Sequence, residues 1–309
     1  MSKGARNSVL TGQIYTFLSF LFWGLLPIYW KFLRSVPALE ILSNRIIWSA
    51  LLMSVLVAFR RRGELLLFLS DSSRRTTAIV AVSFCAVALG INWLLYVWAV
   101  NSDHVVQASL GYYINPLLSV LLGILFLHER PKRLEIAALV LAAAGVLVLT
   151  ISFGRIPWVS LGLALSFGSY GLVKKIGSLS ASLSLALEMI VLSPVAIVYL
   201  AVIGSSGNGH FLSVSPLVTT LLIATGIITA VPLLLFGEGA RRVPLSTVGF
   251  LQYVAPTLML LIGTIIYHER FSIADGMSFA LIWTALGLYT TSLVRSSRSR
   301  RLSGAGDLS

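Results

Sequence analysis

Two charged residues stand inside otherwise apolar stretches of the chain: Arg45, after Glu40-Ile41-Leu42-Ser43-Asn44, and Glu188, after Ser182-Leu183-Ser184-Leu185-Ala186-Leu187. Ionisable groups in such surroundings are costly and usually face a cavity or a partner. The guanidinium of Arg45 suits an anionic group, whereas Glu188 suits a cation or a proton. The competing reading is a structural ion pair, or an arginine snorkelling toward lipid headgroups. A second concentration of chemistry is aromatic and amide in type. It comprises Asn92, Trp93, Tyr96 and Trp98, then Gln107, Tyr112, Tyr113 and Asn115, with Gln252 and Tyr253 as a later counterpart. Asn92 and Tyr96 are spaced i, i+4 and share a helix face. Aromatic rings with a hydrogen-bonding tip suit a cavity for small amphipathic molecules. Interhelical hydrogen bonds and an interfacial aromatic belt are the plainer account, and Trp30, Trp98 and Trp158, near the ends of apolar runs, read as belt.

Catalytic signatures are missing. There is no His-Glu-x-x-His, no Gly-x-Ser-x-Gly and no P-loop, so no hydrolase signature is present and ATP-driven transport within this chain is not expected. The lone cysteine, Cys85, allows no internal disulfide or cysteine cluster and reads as a small packing residue. No cofactor and no metal is expected.

The elements that must hold these residues are apolar and repeated. Leu117–Arg130 returns as Thr257–Arg270 at an offset of 140 residues, which also relates Tyr113 to Tyr253, Pro116 to Pro256 and Gly123 to Gly263. Both copies end in His-Glu-Arg. The chain of 309 residues is 57% hydrophobic and only 11% charged, against about 25% charge in a soluble domain. Apolar runs long enough to cross a bilayer follow one another, at roughly 11–30, 40–59, 77–99, 105–127, 135–152, 157–174, 183–203, 217–236, 244–267 and 273–294. The expected fold is therefore all-α and integral to the membrane, with ten transmembrane helices in two inverted five-helix repeats.

The positive charges orient these spans. With the N-terminus cytoplasmic, 18 lysines and arginines fall on inner segments, 4 on outer segments, and Arg45 within a span. That bias fits ten spans with both termini inside, and it makes the net charge of +12 a topology signal rather than a nucleic-acid surface. Five spans per half insert the second half upside down, the arrangement of secondary transporters that alternate between two nearly equivalent states. The organisation is then a cytoplasmic segment over 1–10, a first repeat over 11–153, a second over 154–294, and a disordered basic cytoplasmic tail over 295–309. The two His-Glu-Arg copies fall on opposite membrane faces, about 30 Å apart, so capping and anchoring explain them better than one metal site. Prolines inside spans favour kinks, and the symmetric pair Pro116 and Pro256 is placed to gate.

Several runs carry a family resemblance. Trp23-Gly24-Leu25-Leu26-Pro27-Ile28-Tyr29-Trp30-Lys31, Pro37–Leu42 and Arg45-Ile46-Ile47-Trp48-Ser49 resemble the start of RarD proteins, as does Asn92–Asn101. Ala108-Ser109-Leu110-Gly111-Tyr112-Tyr113-Ile114-Asn115-Pro116-Leu117 is the most specific match, and Gly249–Tyr253 with Pro256-Thr257 extends it into the second half. RarD proteins belong to the EamA branch of the drug/metabolite transporters. The resemblance implies a bacterial inner-membrane permease in which spans one to four and six to nine surround the cavity and five and ten are peripheral. It also carries an association with chloramphenicol. Two positions depart from the family pattern: Gln107 stands where an acidic residue is frequent, and Asn44 where a histidine is. Both changes remove titratable groups and leave Glu188 as the main intramembrane carboxylate.

The expected function is a secondary transporter of small amphipathic metabolites or drugs, working as an exporter by alternating access. The alternatives are an integral-membrane enzyme acting on lipid or isoprenoid substrates, and a channel. The candidate cavity residues are Trp23, Tyr29 and Arg45 in the first two spans, and Asn92, Trp93 and Tyr96 in the third. Tyr113, Asn115, Gln252 and Tyr253 complete them from the fourth and ninth spans. Glu188 is the candidate for ion coupling. The expected partners are membrane lipid and a small-molecule substrate, with no nucleic acid, and the chain is expected to act as a monomer or homodimer.

Overall fold

A computed structural model describes residues 3–101, 105–154, 158–268 and 273–305. The described residues are helical, without a strand. The helices are α1 (Lys3–Phe32), α2 (Ala38–Arg60), α3 (Arg62–Ser70), α4 (Ser72–Asn101), α5 (Val105–Leu127), α6 (Arg133–Phe153), α7 (Trp158–Ile176), α8 (Ala181–Ser205), α9 (Pro216–Ala240), α10 (Leu245–Gln252), α11 (Val254–Leu261) and α12 (Ile273–Ala305). A π-helical turn over Ile262–Ile266 follows α11.

Local sequence sets the breaks. Pro37 and Pro244 precede α2 and α10, where a missing N–H costs nothing. Ser180 and Ser215 cap α8 and α9, their hydroxyls accepting from Leu183 N at 3.3 Å and Val218 N at 3.2 Å, each satisfying an orphan donor of the first turn. Gly154, at φ +72°, closes α6 in the left-handed conformation that glycine adopts without penalty.

Eight helical segments are long and apolar enough to cross a bilayer: those starting at Asn7, Ala38, Arg75, Leu110, Arg133, Ala181, Pro216 and Leu245. Only 22% to 44% of each spanning window is buried inside the protein, so most of its apolar surface faces outward. Val195, Ile151, Phe59 and Leu217 are large apolar side chains that are mostly exposed, as side chains in contact with lipid tails are.

The interior is held by close backbone approach. A Cβ on Gly226 of α9 would lie 2.6 Å from the Trp48 Cβ of α2, and a Cβ on Gly249 of α10 only 2.5 Å from the Pro116 carbonyl oxygen of α5. Such crossings, together with hydroxyl bonds such as Ser49 Oγ to the Gly226 carbonyl at 3.1 Å, are how helices associate where no hydrophobic gradient drives them together. α5 packs on α7 and α10, α1 on α9 and α11, α2 on α8 and α9, and α4 on α7 and α8. α6 pairs mainly with α12 at one side, where Ser278 Oγ donates to the Gly145 carbonyl at 2.8 Å.

Three features differ from the sequence-based expectation. α3 is an additional helix in what reads as a loop, and its nine residues rise only about 14 Å, too short to span. The ninth apolar run is divided, α10 ending at Gln252 three residues before Ala255 and Pro256, which belong to α11. α12 does not stop at 294. It continues through Ala305, because Arg295–Ser303 contains no proline or glycine to end it.

Candidate functional site

A cavity of ≈ 170 Å³ lies between the halves of the chain, lined from α1, α2, α4, α5, α7, α9, α10 and α11. α6, α8 and α12 contribute none of its described lining; the resemblance implies this for the fifth and tenth spans but sets the seventh, α8, around the cavity. The lining on α1 comes from its second half (Phe20, Trp23, Trp30) and that on α2 from its beginning (Arg45). The cavity therefore sits toward the end of the bundle where α1 finishes and α2 starts.

One wall is cationic and aromatic. The Arg45 guanidinium lies 4.7 Å from the Trp93 ring and 5.2 Å from the Trp30 ring, both within cation–π range. Its Nε donates to Thr229 Oγ1 at 2.9 Å. A second wall carries amides. Asn92 Nδ2 donates to the Leu163 carbonyl at 2.9 Å and to Ser166 Oγ at 3.0 Å, while Gln252 Oε1 accepts from Ser119 Oγ at 3.3 Å. Asn115 is 5% exposed, and its Oδ1 has no hydrogen-bond partner. Tyr96 and Tyr112 meet edge to face at 6.2 Å and both line the space. The floor is a ring cluster in which Trp23 meets Phe20 at 5.3 Å and Phe167 at 5.5 Å, with Phe236 beneath.

Trp23, Arg45, Asn92, Trp93, Tyr96, Asn115 and Gln252 are thus gathered around one space, and Pro256 joins them. Tyr29, Tyr113 and Tyr253 are not. Tyr29 turns its hydroxyl to the Leu221 carbonyl. The Tyr113 ring packs edge-on against Phe279 of α12 at 5.3 Å. Tyr253, 1% exposed, donates to the Tyr113 carbonyl at 3.3 Å. Helical geometry is the reason, since neighbouring residues point about 100° apart. Trp23, Pro27 and Trp30 follow the i, i+4, i+7 spacing of one face, which excludes Tyr29. Tyr112 and Asn115 likewise exclude Tyr113, and Gln252 and Pro256 exclude Tyr253. Trp30, expected in the interfacial belt, belongs to the cavity instead, and the same periodicity signals it. Trp98 and Trp158 meet in a tilted contact at 5.1 Å, both exposed. Pro116 sits within a continuous α5, its carbonyl against Gly249. The Gln107 side chain lies outside the described residues, as do Glu269 and Arg270.

Glu188 does not face the cavity. It is fully buried, 2.6 Å from Lys174 Nζ and 2.6 Å from Ser184 Oγ, with the Tyr170 hydroxyl at 3.4 Å. Lys174 counts as a loop cation when the sixth span is ended at residue 174. α7 in fact runs to Ile176, so Lys174 occupies its last turn and folds inward. A buried charge needs such a partner, and the sequence signal was a lysine at the end of one apolar run facing a glutamate early in the next.

Both ends of the bundle carry carboxylate clasps. Glu129, of the first His-Glu-Arg, accepts from Leu245 N at 2.5 Å, Ser246 N at 2.9 Å and Ser246 Oγ at 2.7 Å, capping α10 from the end of α5. Negative charge is favourable at a helix N-terminus. Glu64 accepts from Ser180 N at 2.8 Å at the same end. At the cavity end, Glu40 accepts from the backbone N–H groups of His210 at 2.7 Å and Phe211 at 3.1 Å, with His210 Nδ1 at 2.9 Å.

Eight bilayer-length helical segments, six of which contribute to an aromatic and amide-lined cavity, define a multi-pass membrane protein. Residues 10–151 match the EamA-like transporter family. The chain is 46% identical over 296 residues to an uncharacterized transporter, YojE, of Bacillus subtilis, covering 94% of this chain and 97% of the relative. It is 41% identical to the protein RarD of Escherichia coli, with coverage of 96% and 98%. A chloramphenicol-sensitive protein RarD of Pseudomonas aeruginosa is 28% identical over 84% of this chain and 87% of its own length. A solved crystal structure shares the fold at a TM-score of 0.68 and 19% identity, covering 91% of this chain and 97% of that one. The chain belongs to the EamA-like transporter family and, within it, to the RarD proteins.

Proposed function

We propose that the chain is a secondary transporter that exports small amphipathic metabolites or drugs, chloramphenicol-like molecules among them, by alternating access across the inner membrane of a bacterium. The observation that carries this reading is the cavity itself. It lies between the two halves, displaced toward one end, while aromatic packing and the Glu129 and Glu64 clasps close the other end.

The architecture we propose is ten spanning helices, with α7 and α12 added to the eight apolar ones, in two inverted five-helix repeats with both termini cytoplasmic. Its support is the pairing of helices. If α1, α2, α4, α5 and α6 correspond to α7, α8, α9, α10–α11 and α12, the contact of α5 with α7 is answered by that of α11 with α1. The contact of α1 with α9 is then answered by that of α7 with α4. His128 and His268, at equivalent positions, also share a left-handed backbone at φ 52° and 54°. Such symmetry lets the two halves rock around a fixed site, with Pro116 and Pro256 in equivalent helices as gating elements. No catalytic step is assigned to the chain.

Ion coupling, if Glu188 performs it, acts through the Lys174 pair rather than in the cavity, because proton uptake on Glu188 would release Lys174 and loosen α7 from α8. The test is flux of a metabolite and drug panel in proteoliposomes, with and without a pH gradient. Gradient-driven flux is expected from the wild type and is expected to be lost in Lys174→Gln/Glu188→Gln. Unchanged gradient dependence in that double variant removes the coupling role, and an absence of flux for every compound removes the transport reading.

A further inference from the structure

The charge balance of the cavity goes one step further, resting on the transport reading above. Among its described lining residues there is one cation, Arg45, and no carboxylate. The guanidinium has five N–H donors. The structure gives it one hydrogen-bond acceptor, the neutral hydroxyl of Thr229, and two indole faces. Its terminal nitrogens have no acceptor among the described residues. The fully buried charges among the described residues are not left in this condition. Lys174 has Glu188 at 2.6 Å, and Glu40 has two backbone donors and an imidazole. A cation held inside a membrane protein with no counter-charge is expensive, and indole faces offset only about 0.5–2 kcal/mol each.

Arg45 is not enclosed, since it opens on the cavity. A planar carboxylate entering there would meet the two terminal nitrogens, which lack an acceptor among the described residues, in the forked geometry a guanidinium favours. The indoles of Trp30 and Trp93, which hold the guanidinium plane, and that of Trp23 below would cover an apolar, flat body. An organic cation finds no carboxylate to bind and a fixed positive charge against it.

We infer that the cavity selects small organic monoanions: molecules with a carboxylate for Arg45 and a flat apolar body for the tryptophans. Neutral isosteres bind more weakly and organic cations are excluded. The missing counter-charge is thus supplied by the substrate, which neutralises the site only while it is occupied.

Three near-isosteric probes test this on the full-length protein in lipid nanodiscs: phenylacetate, 2-phenylacetamide and 2-phenylethylammonium, read by quenching of tryptophan fluorescence. The expected result is phenylacetate binding about 30-fold more tightly than the amide, the least that pairing a buried charge is worth, with the ammonium compound not competing. Arg45→Gln is expected to erase the difference between acid and amide, and Arg45→Lys to keep part of it. Wild-type protein that binds amide or ammonium as tightly as phenylacetate, or binds none of the three, overturns the inference without any variant having to fold. Flux of the same probes in proteoliposomes separates the two levels. Carriage of the neutral or cationic probe but not the anion overturns the substrate class and leaves a transporter. Arg45-dependent binding of the anion without flux of any probe upholds the site and overturns the transport reading.

Discussion

At the scale of single residues, the two intramembrane charges singled out by the sequence turn out to have opposite situations. Glu188 is fully neutralised within the protein by Lys174, Ser184 and Tyr170, whereas Arg45 has a hydroxyl and two indoles. The consequence for stability differs accordingly. Removing one partner of a buried pair leaves an uncompensated charge and costs about 3–5 kcal/mol, while replacing both by apolar groups is often neutral. Glu188→Leu and Lys174→Met are each expected to lower the unfolding free energy in mixed micelles by that amount. The double variant is expected to recover most of it. Additive losses in the double variant would show that the two groups do not act as a pair. Arg45→Met, by contrast, removes a charge that has no counter-charge among the described residues and is expected to raise stability or leave it within about 0.5 kcal/mol while abolishing anion binding.

At the scale of elements, glycines decide how closely helices cross. Gly249 lies against the Pro116 carbonyl, and an added Cβ would come within 2.5 Å of that backbone oxygen. No side-chain rotation relieves such a contact, so Gly249→Ala must push α10 from α5 and is expected to cost about 1–3 kcal/mol. Gly123 has a related role beside the clasp, because its Cβ would stand 2.8 Å from the Glu129 carboxylate. Glu129 in turn holds the first turn of α10 with three bonds. Glu129→Ala is expected to fray that turn, seen as faster amide hydrogen exchange at Leu245 and Ser246, and Glu129→Gln, which keeps one acceptor oxygen, to do so less. Equal exchange in wild type and both variants would show that the clasp does not hold the helix end.

At the scale of the whole molecule, the proposed inverted repeat requires connections to alternate between the two membrane faces. With Cys85→Ser as background, a single cysteine at Ser206, between α8 and α9, is expected to react with an impermeant maleimide in intact cells. One at Ser303 is expected to react only after permeabilisation. Labelling of both from the same side would contradict ten spans with cytoplasmic termini. The closed end coincides with the arginine-rich loops, so in the proposed topology the cavity opens toward the outer face. Weakening that end through Glu129→Ala is expected to raise reactivity of a cysteine placed at Leu233, the lining position on α9, toward reagents from the cytoplasmic side.

Membrane insertion, helical class and family were already legible in the chain, for a physical reason: bilayer thickness demands long apolar runs, and those runs need no tertiary partner to be recognised. Helix periodicity made Asn92 and Tyr96 legible as one face of the cavity, whereas Trp23, Trp93 and Asn115 were singled out by residue type. Residue type alone does not distinguish helix faces, which is why Tyr29, Tyr113 and Tyr253, pointing elsewhere, were grouped with them. Only the tertiary structure decided which charges were paired. Lys174 and Glu188 are 14 positions apart, and Glu129 reaches Leu245 across 116. Such partnerships depend on how α7 folds back on α8 and how α10 crosses α5. Packing sets those contacts, and the composition of any one helix carries no trace of them.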